Sequence, residues 1–228
     1  MSSFTSSKSL AFRRALALLL ILVAGVSQGC SPIAMLGYLI AGPPSIEPEF
    51  ETETGLSMEG GEKKVAVVCY APKNLLIEFP KIDDEVAAQV AYRLGENKIA
   101  IIRPEYIRAW VDEHPDWELA EEIGKEFKAD YVVQIELADF GLYEGDSTTL
   151  YRGRTEAYVK VCAMEDDKRT GEQVFTKDID FIFPSAVPRS SYDTTQTRFK
   201  REYISRLSEK IGWLFYEHFN GDTIPWAT

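Results

Sequence analysis

A chain of 228 residues, 45% hydrophobic and 27% charged, has the composition of a globular protein with room for one sizeable domain plus appendages. Its formal charge is −11; taking Lys8, Arg13 and Arg14 of the leader from its 25 bases leaves 22 against 36 acids, net −14. A surface that acidic repels nucleic acid and anionic lipid headgroups, and three scattered cysteines exclude a disulfide framework or a zinc site.

The leader opens with polar residues and a basic cluster, followed by the uninterrupted apolar run Ala15 to Val26. That run is short for a bilayer span and suits the apolar core of a secretory signal. Ser27-Gln28-Gly29-Cys30 follows, and Gly29 before Cys30 resembles the lipobox of bacterial lipoproteins, with Ser27 standing where that family prefers an aliphatic residue. The resemblance implies cleavage before Cys30, lipidation of its sulfur, and a membrane lipid as partner through Cys30; Ser31 favours the outer membrane over the inner. Ordinary cleavage and an uncleaved anchor stay open. A second apolar patch, Ile33 to Ala41, is too short to span alone. The expected division is a signal peptide at 1–29, a lipidated N-terminus and flexible tether at 30–62, an α/β domain at 63–220 and a loose tail at 221–228.

Lys64 to Tyr70 reads as a strand apolar on both faces, as in the middle of a parallel sheet. Ala71 to Ile82 reads as a long loop because of Pro72 and Pro80. Asp83 or Asp84 suits the cap of the next helix, which buries Val86, Val90 and Leu94. Lys98 to Ile102 is a second strand, and Pro104 opens a short helix. Leu119, Ile123 and Phe127 then recur every fourth residue on a helix that Asp116 would cap, and Tyr131-Val132-Val133 begins a buried strand. Leu150 to Met164 alternates, setting Thr155, Ala157, Val159, Val161 and Ala163 against Arg152, Arg154, Glu156, Tyr158 and Lys160. Gln173 to Phe183 returns as its hairpin partner. Thr197 would cap a long last helix holding Phe199, Tyr203, Leu207 and Ile211, closed by Asn220-Gly221.

These elements predict an α/β fold with a single mixed sheet, strand order 2-1-3-4-5. The first three strands are parallel, an antiparallel hairpin follows, and helices lie on both faces with a long C-terminal helix. Together the KVAVV strand, the KIAIIRP strand, the IGKEFKADYVVQIELADF segment and the Thr170-Gly171-Glu172 turn resemble a bacterial cell-envelope lipoprotein domain. It is the periplasmic α/β domain of the curli secretion lipoprotein and the penicillin-binding-protein activator lipoprotein. The likeness covers about residues 63–183 and is sharpest at Ala129-Asp130-Tyr131-Val132-Val133. It implies a non-enzymatic binding or assembly module for another envelope protein.

No nucleophile motif, phosphate loop or dinucleotide fingerprint is present, and neither a catalytic residue, a metal ligand nor a cofactor is assigned. His114 and His218 read as helix-end residues, and Cys69 and Cys162 as core residues able to pair only in an oxidising compartment. Asp178 and Asp180 share a strand face, where Arg152 and Arg154 would make cross-strand pairs with them. The candidate partner-binding residues are Leu75, Leu76, Ile77 and Phe79, apolar positions in a loop leaving the C-terminal end of a central strand, with Tyr143 and Tyr151 beside them. The alternatives are a secreted hydrolase using Asp139, Asp178 and Asp180, and a signal-anchored membrane protein of structural role.

Overall fold

A computed structural model describes residues 44–227. The leader, Cys30 and the apolar patch at 33–41 lie outside the described residues. In chain order the elements are β1 (Ser45–Ile46), α1 (Glu49–Thr54), β2 (Lys64–Tyr70), α2 (Lys73–Glu78), α3 (Ile82–Glu96), β3 (Ala100–Ile101), α4 (Pro104–Glu113) and α5 (Ala120–Phe127). Then come β4 (Tyr131–Tyr143), β5 (Leu150–Met164), β6 (Gly171–Phe183), β7 (Arg189–Ser190), α6 (Gln196–Gly212), β8 (His218–Phe219) and a 3-10 turn, Ile224–Ala227.

The main sheet runs β3-β2-β4-β5-β6, with β7 paired to the start of β5. Strands β2, β3 and β4 are parallel, and β4-β5-β6 are antiparallel, which is the expected mixed order. Alternation in β5 puts Thr155, Ala157, Val159 and Val161 into the main core, against the buried faces of α3 and α6. On the opposite face Ala66, Val68, Val132, Cys162 and Met164 form a smaller core with Ile107 of α4 and Ile123 of α5. Asp130 joins β2, β4 and the hairpin turn. Its carboxylate accepts Lys64 N–H at 2.7 Å and Lys168 Nζ at 2.7 Å, with Lys63 at 3.8 Å. Burial pushes this carboxyl up, but the lysine bonds and charges outweigh it and hold the group below the usual carboxylate range.

The packed domain begins at Ser45 rather than Lys63. Phe50 of α1 is buried against Tyr131, Phe175 and Phe215, Met58 is fully buried, and Phe50 N–H donates to Leu214 O at 3.0 Å. A stretch read as tether is therefore part of the fold. The tail is also packed, because Trp226 stacks on Trp213 with centroids 4.7 Å apart and meets Phe181 edge-on. Three expected caps differ. α3 starts after Lys81 in the left-handed region, with Asp83 and Asp84 inside its first turn. α5 starts at Ala120, where Glu122 reaches back to the N–H groups of Glu118 and Leu119 at 3.1 and 2.9 Å in place of an Asp116 cap. Thr195, not Thr197, caps α6 by accepting Arg198 N–H at 3.3 Å. That helix stops at Gly212, so His218 lies on β8 instead of a helix end.

Candidate functional site

The two faces of the sheet are covered unequally. Strands of 13 to 15 residues extend roughly 43–50 Å, whereas α4 and α5, with 10 and 8 residues, reach only about 15 and 12 Å. α5 lies over one end of β4-β5-β6, where Gly171 N–H donates to Glu121 at 3.2 Å and Met164 packs against Gly124. Among the described residues no helix covers the other end of that face.

Residues on this open face line up in rows across the strands. The first row is Gln134, Lys160 and Thr176, and the second is Tyr70, Glu136, Tyr158 and Asp178. A bulge after Leu137 then turns Asp139 onto the face opposite Glu156, which itself opposes Asp180. Arg154 and Ile182 close the series. Lys160 holds both Glu136 oxygens at 2.8 Å, and Gln134 donates to the same carboxylate at 2.9 Å. Arg154 approaches Asp139 at 4.0 Å. Among the described residues Glu156, Asp178 and Asp180 enter no ion pair.

Like charges directly opposite each other destabilise a sheet, so Asp139-Glu156-Asp180 is a row that folding alone does not favour. Around it Tyr70, Tyr158 and Ile182 are 53%, 46% and 42% exposed. The face therefore combines unpaired negative charge with aromatic and aliphatic surface, which suits a partner presenting cationic and apolar groups. Among the described residues no group of three His, Cys, Asp or Glu side chains is placed to hold a metal ion.

The loop-borne candidates are divided by the fold. Pro72 serves as the N-cap residue of α2, so Ala71 to Ile82 is a short helix between turns. Leu75 and Phe79 are buried, Phe79 lying edge-on to Phe140 at 5.0 Å, and Leu76 packs partly against the same core. Ile77 alone stands out, at 82% exposed. Tyr151 is core as well, stacked on Phe199 at 5.2 Å with Tyr143 against it. Asp139, Asp178 and Asp180 lie on the open face, not gathered in a cleft as acid-base chemistry would need. Arg152 holds Glu144 and the carbonyls of Pro184 and Ser185, and Arg154 registers with Ile182, so neither makes the expected pair with Asp178 or Asp180.

Cys69 and Cys162 are free thiols on opposite sides of the sheet, both pushed up by burial. His114 sits with Nδ1 2.8 Å from Trp110 O at the end of α4, the expected helix-end position. His218 stacks on Trp213 at 4.4 Å, where burial and then Lys210 push its pKa down.

At the C-terminal end of β2 a slot of about 270 Å³ opens between α3 and α4, where open α/β sheets place ligands. Burial raises its Asp83 carboxyl, with Arg108 offsetting part of the effect. Arg108 is already paired with Asp84 and with Asp112.

No protein-family model matches the chain, and no curated protein does either. Three similar solved structures give the scale of the structural likeness. Lipoprotein GNA1162 from Neisseria meningitidis is 12% identical, over 65% of this chain and 97% of its own, at TM-score 0.39. The PelC dodecamer from Paraburkholderia phytofirmans is 13% identical, over 76% and 96%, at 0.40. Hypothetical protein CT253 from Chlamydia trachomatis is 16% identical, over 67% and 91%, at 0.42. At these values the likeness bears on neither partner nor activity.

Proposed function

We propose that this chain is a cell-envelope lipoprotein whose domain binds a positively charged surface of another envelope protein, without catalysis, through the open face of its sheet. The observation that carries the proposal is a half-face left uncovered by the described residues, where Glu156, Asp178 and Asp180 find no ion-pair partner among them and stand beside exposed Tyr70, Tyr158 and Ile182. The leader and the Gly29-Cys30 pair support lipid attachment at Cys30, with Ser31 favouring the outer membrane. The finer resemblance to the curli and penicillin-binding-protein-activator lipoprotein domain belongs to the same reading. Because the packed domain starts at Ser45, residues 31–44 are the stretch of sequence between it and Cys30. The net charge of the chain attracts cationic partners and discourages acidic ones.

Changing Glu156→Lys, Asp178→Lys and Asp180→Lys together tests this. Solvent-facing substitutions of this kind change stability by no more than about 0.5 kcal/mol each, so the variant keeps its thermal transition. Its recovery of cationic envelope proteins from solubilised membranes is expected to fall by roughly tenfold or more, mainly through slower association. Undiminished recovery of the same proteins by a folded variant refutes the docking face.

A further inference from the structure

Net charge conceals an opposite concentration of charge on the far side of the molecule. There α3 and α6 border a groove of about 490 Å³ lined by Arg93, Arg198, Arg201 and Arg206 together with Gln89, Glu202 and Ser205. Of the acids nearest the groove, Glu202 is taken by an arginine outside it, while Glu209 and Glu96 pair with the groove's own Arg206 and Arg93. Both oxygens of Glu202 are bonded by Arg189 at 2.6 and 3.0 Å, Glu209 takes Arg206 at 3.0 Å, and Glu96 takes Tyr92 at 2.7 Å and Arg93 at 3.3 Å.

Arg198 and Arg201 enter no ion pair among the described residues. Standing three apart on one helix, they repel each other. Arg93 is fixed across the groove by its bond to Ser205 Oγ at 2.8 Å, yet its buried Nε–H has no acceptor among the described residues. In a chain with 36 acids against 25 bases, two guanidinium groups without a carboxylate partner among the described residues, Arg198 and Arg201, converge here on a third, Arg93, whose Nε–H is unused.

We infer that the groove is a binding site for a phosphoryl group. A phosphoryl group brings up to two negative charges and several acceptor oxygens, and planar guanidinium forks engage it in paired hydrogen bonds. A second copy of the chain is a poorer occupant, because a carboxylate brings one negative charge and two acceptor oxygens where a phosphoryl group brings more of both. The long-range repulsion expected from the net charge is screened within about 8 Å at physiological salt, so the local arginines govern binding at contact. The phosphoryl group belongs either to a lipid headgroup or to free phosphate.

Titrating the full-length chain with inorganic phosphate at constant ionic strength, while following arginine Nε–H resonances, is the test. Saturable shifts at Arg93, Arg198 and Arg201 are expected, and Arg198→Ala with Arg201→Ala weakens binding roughly tenfold to a hundredfold. Arg103→Ala, just before α4 and over the Tyr106 ring, leaves it unchanged. Vesicles of phosphatidylglycerol and of phosphatidylcholine then separate the sources. If the double variant also loses the preference for phosphatidylglycerol, the ligand is a headgroup; if it loses phosphate binding alone, the ligand is free phosphate. Unsaturable shifts, equal affinity in the double variant, or a loss only of self-association overturns the site.

Discussion

Phe50→Ala is expected to destabilise the domain by about 3–5 kcal/mol, the range for emptying a buried aromatic position. Phe50 is 1% exposed and its ring touches Tyr131, Phe175 and Phe215 at centroid distances of 5.8, 5.6 and 5.8 Å. These neighbours come from β4, β6 and the turn after α6, so the ring ties a six-residue helix to three distant parts of the chain. None of them can collapse into the void without loosening the others, which favours the upper part of the range. For a domain of this size the loss lowers the melting temperature by roughly 6–20 °C. Calorimetry on the full chain reads it directly. A change below about 1 kcal/mol would mean that α1 only rests on the surface, and that residues 45–62 behave as the tether their composition suggests.

Gly153→Ala is expected to cost roughly 2–5 kcal/mol, from overpacking together with the loss of a buried hydroxyl's partners. A Cβ at Gly153 would lie 2.3 Å from Tyr203 Cδ2. The tyrosine ring has nowhere to go. It is stacked between Phe181 at 5.8 Å and Phe199 at 6.3 Å, and its hydroxyl donates to Thr155 Oγ1 at 2.6 Å, with Phe181 O at 3.2 Å. Gly124→Ala is the informative contrast, since the three atoms nearest its Cβ all belong to Met164, an unbranched side chain that can swing aside. Urea unfolding of both variants should show the larger loss at Gly153. Equal losses would place the cost in the backbone rather than in Tyr203.

Most of the fold between Lys64 and Phe183 was legible because its apolar residues repeat with the periods of buried strands and one-sided helices. β5 shows this best, since its alternation alone gives the residues facing the core. α1 was hidden because a single buried phenylalanine among Glu and Thr creates no period. The packed tail was hidden because Trp226 is held by stacking on Trp213, a contact no local pattern announces. At α2, Pro72 and Pro80 suggested a loop, yet a proline before the first helical turn is compatible with one. The candidate site was half legible. Period two placed Glu156, Tyr158, Asp178 and Asp180 on exposed faces, but which exposed surface stays bare depends on how far α4 and α5 reach. The arginine groove was invisible for a related reason, because Arg93 and Arg201 lie 108 residues apart in sequence and net charge averages them away.

The most direct measurement of the docking face is site-specific photo-crosslinking in the cell. A benzophenone-bearing residue replaces Tyr158 in one full-length chain and Ile77 in another, both exposed positions but on different surfaces. An adduct with another envelope protein from the Tyr158 position, absent after Glu156→Lys, Asp178→Lys and Asp180→Lys, is the result predicted. An adduct from Ile77 with none from Tyr158 would contradict the account and return the binding surface to α2.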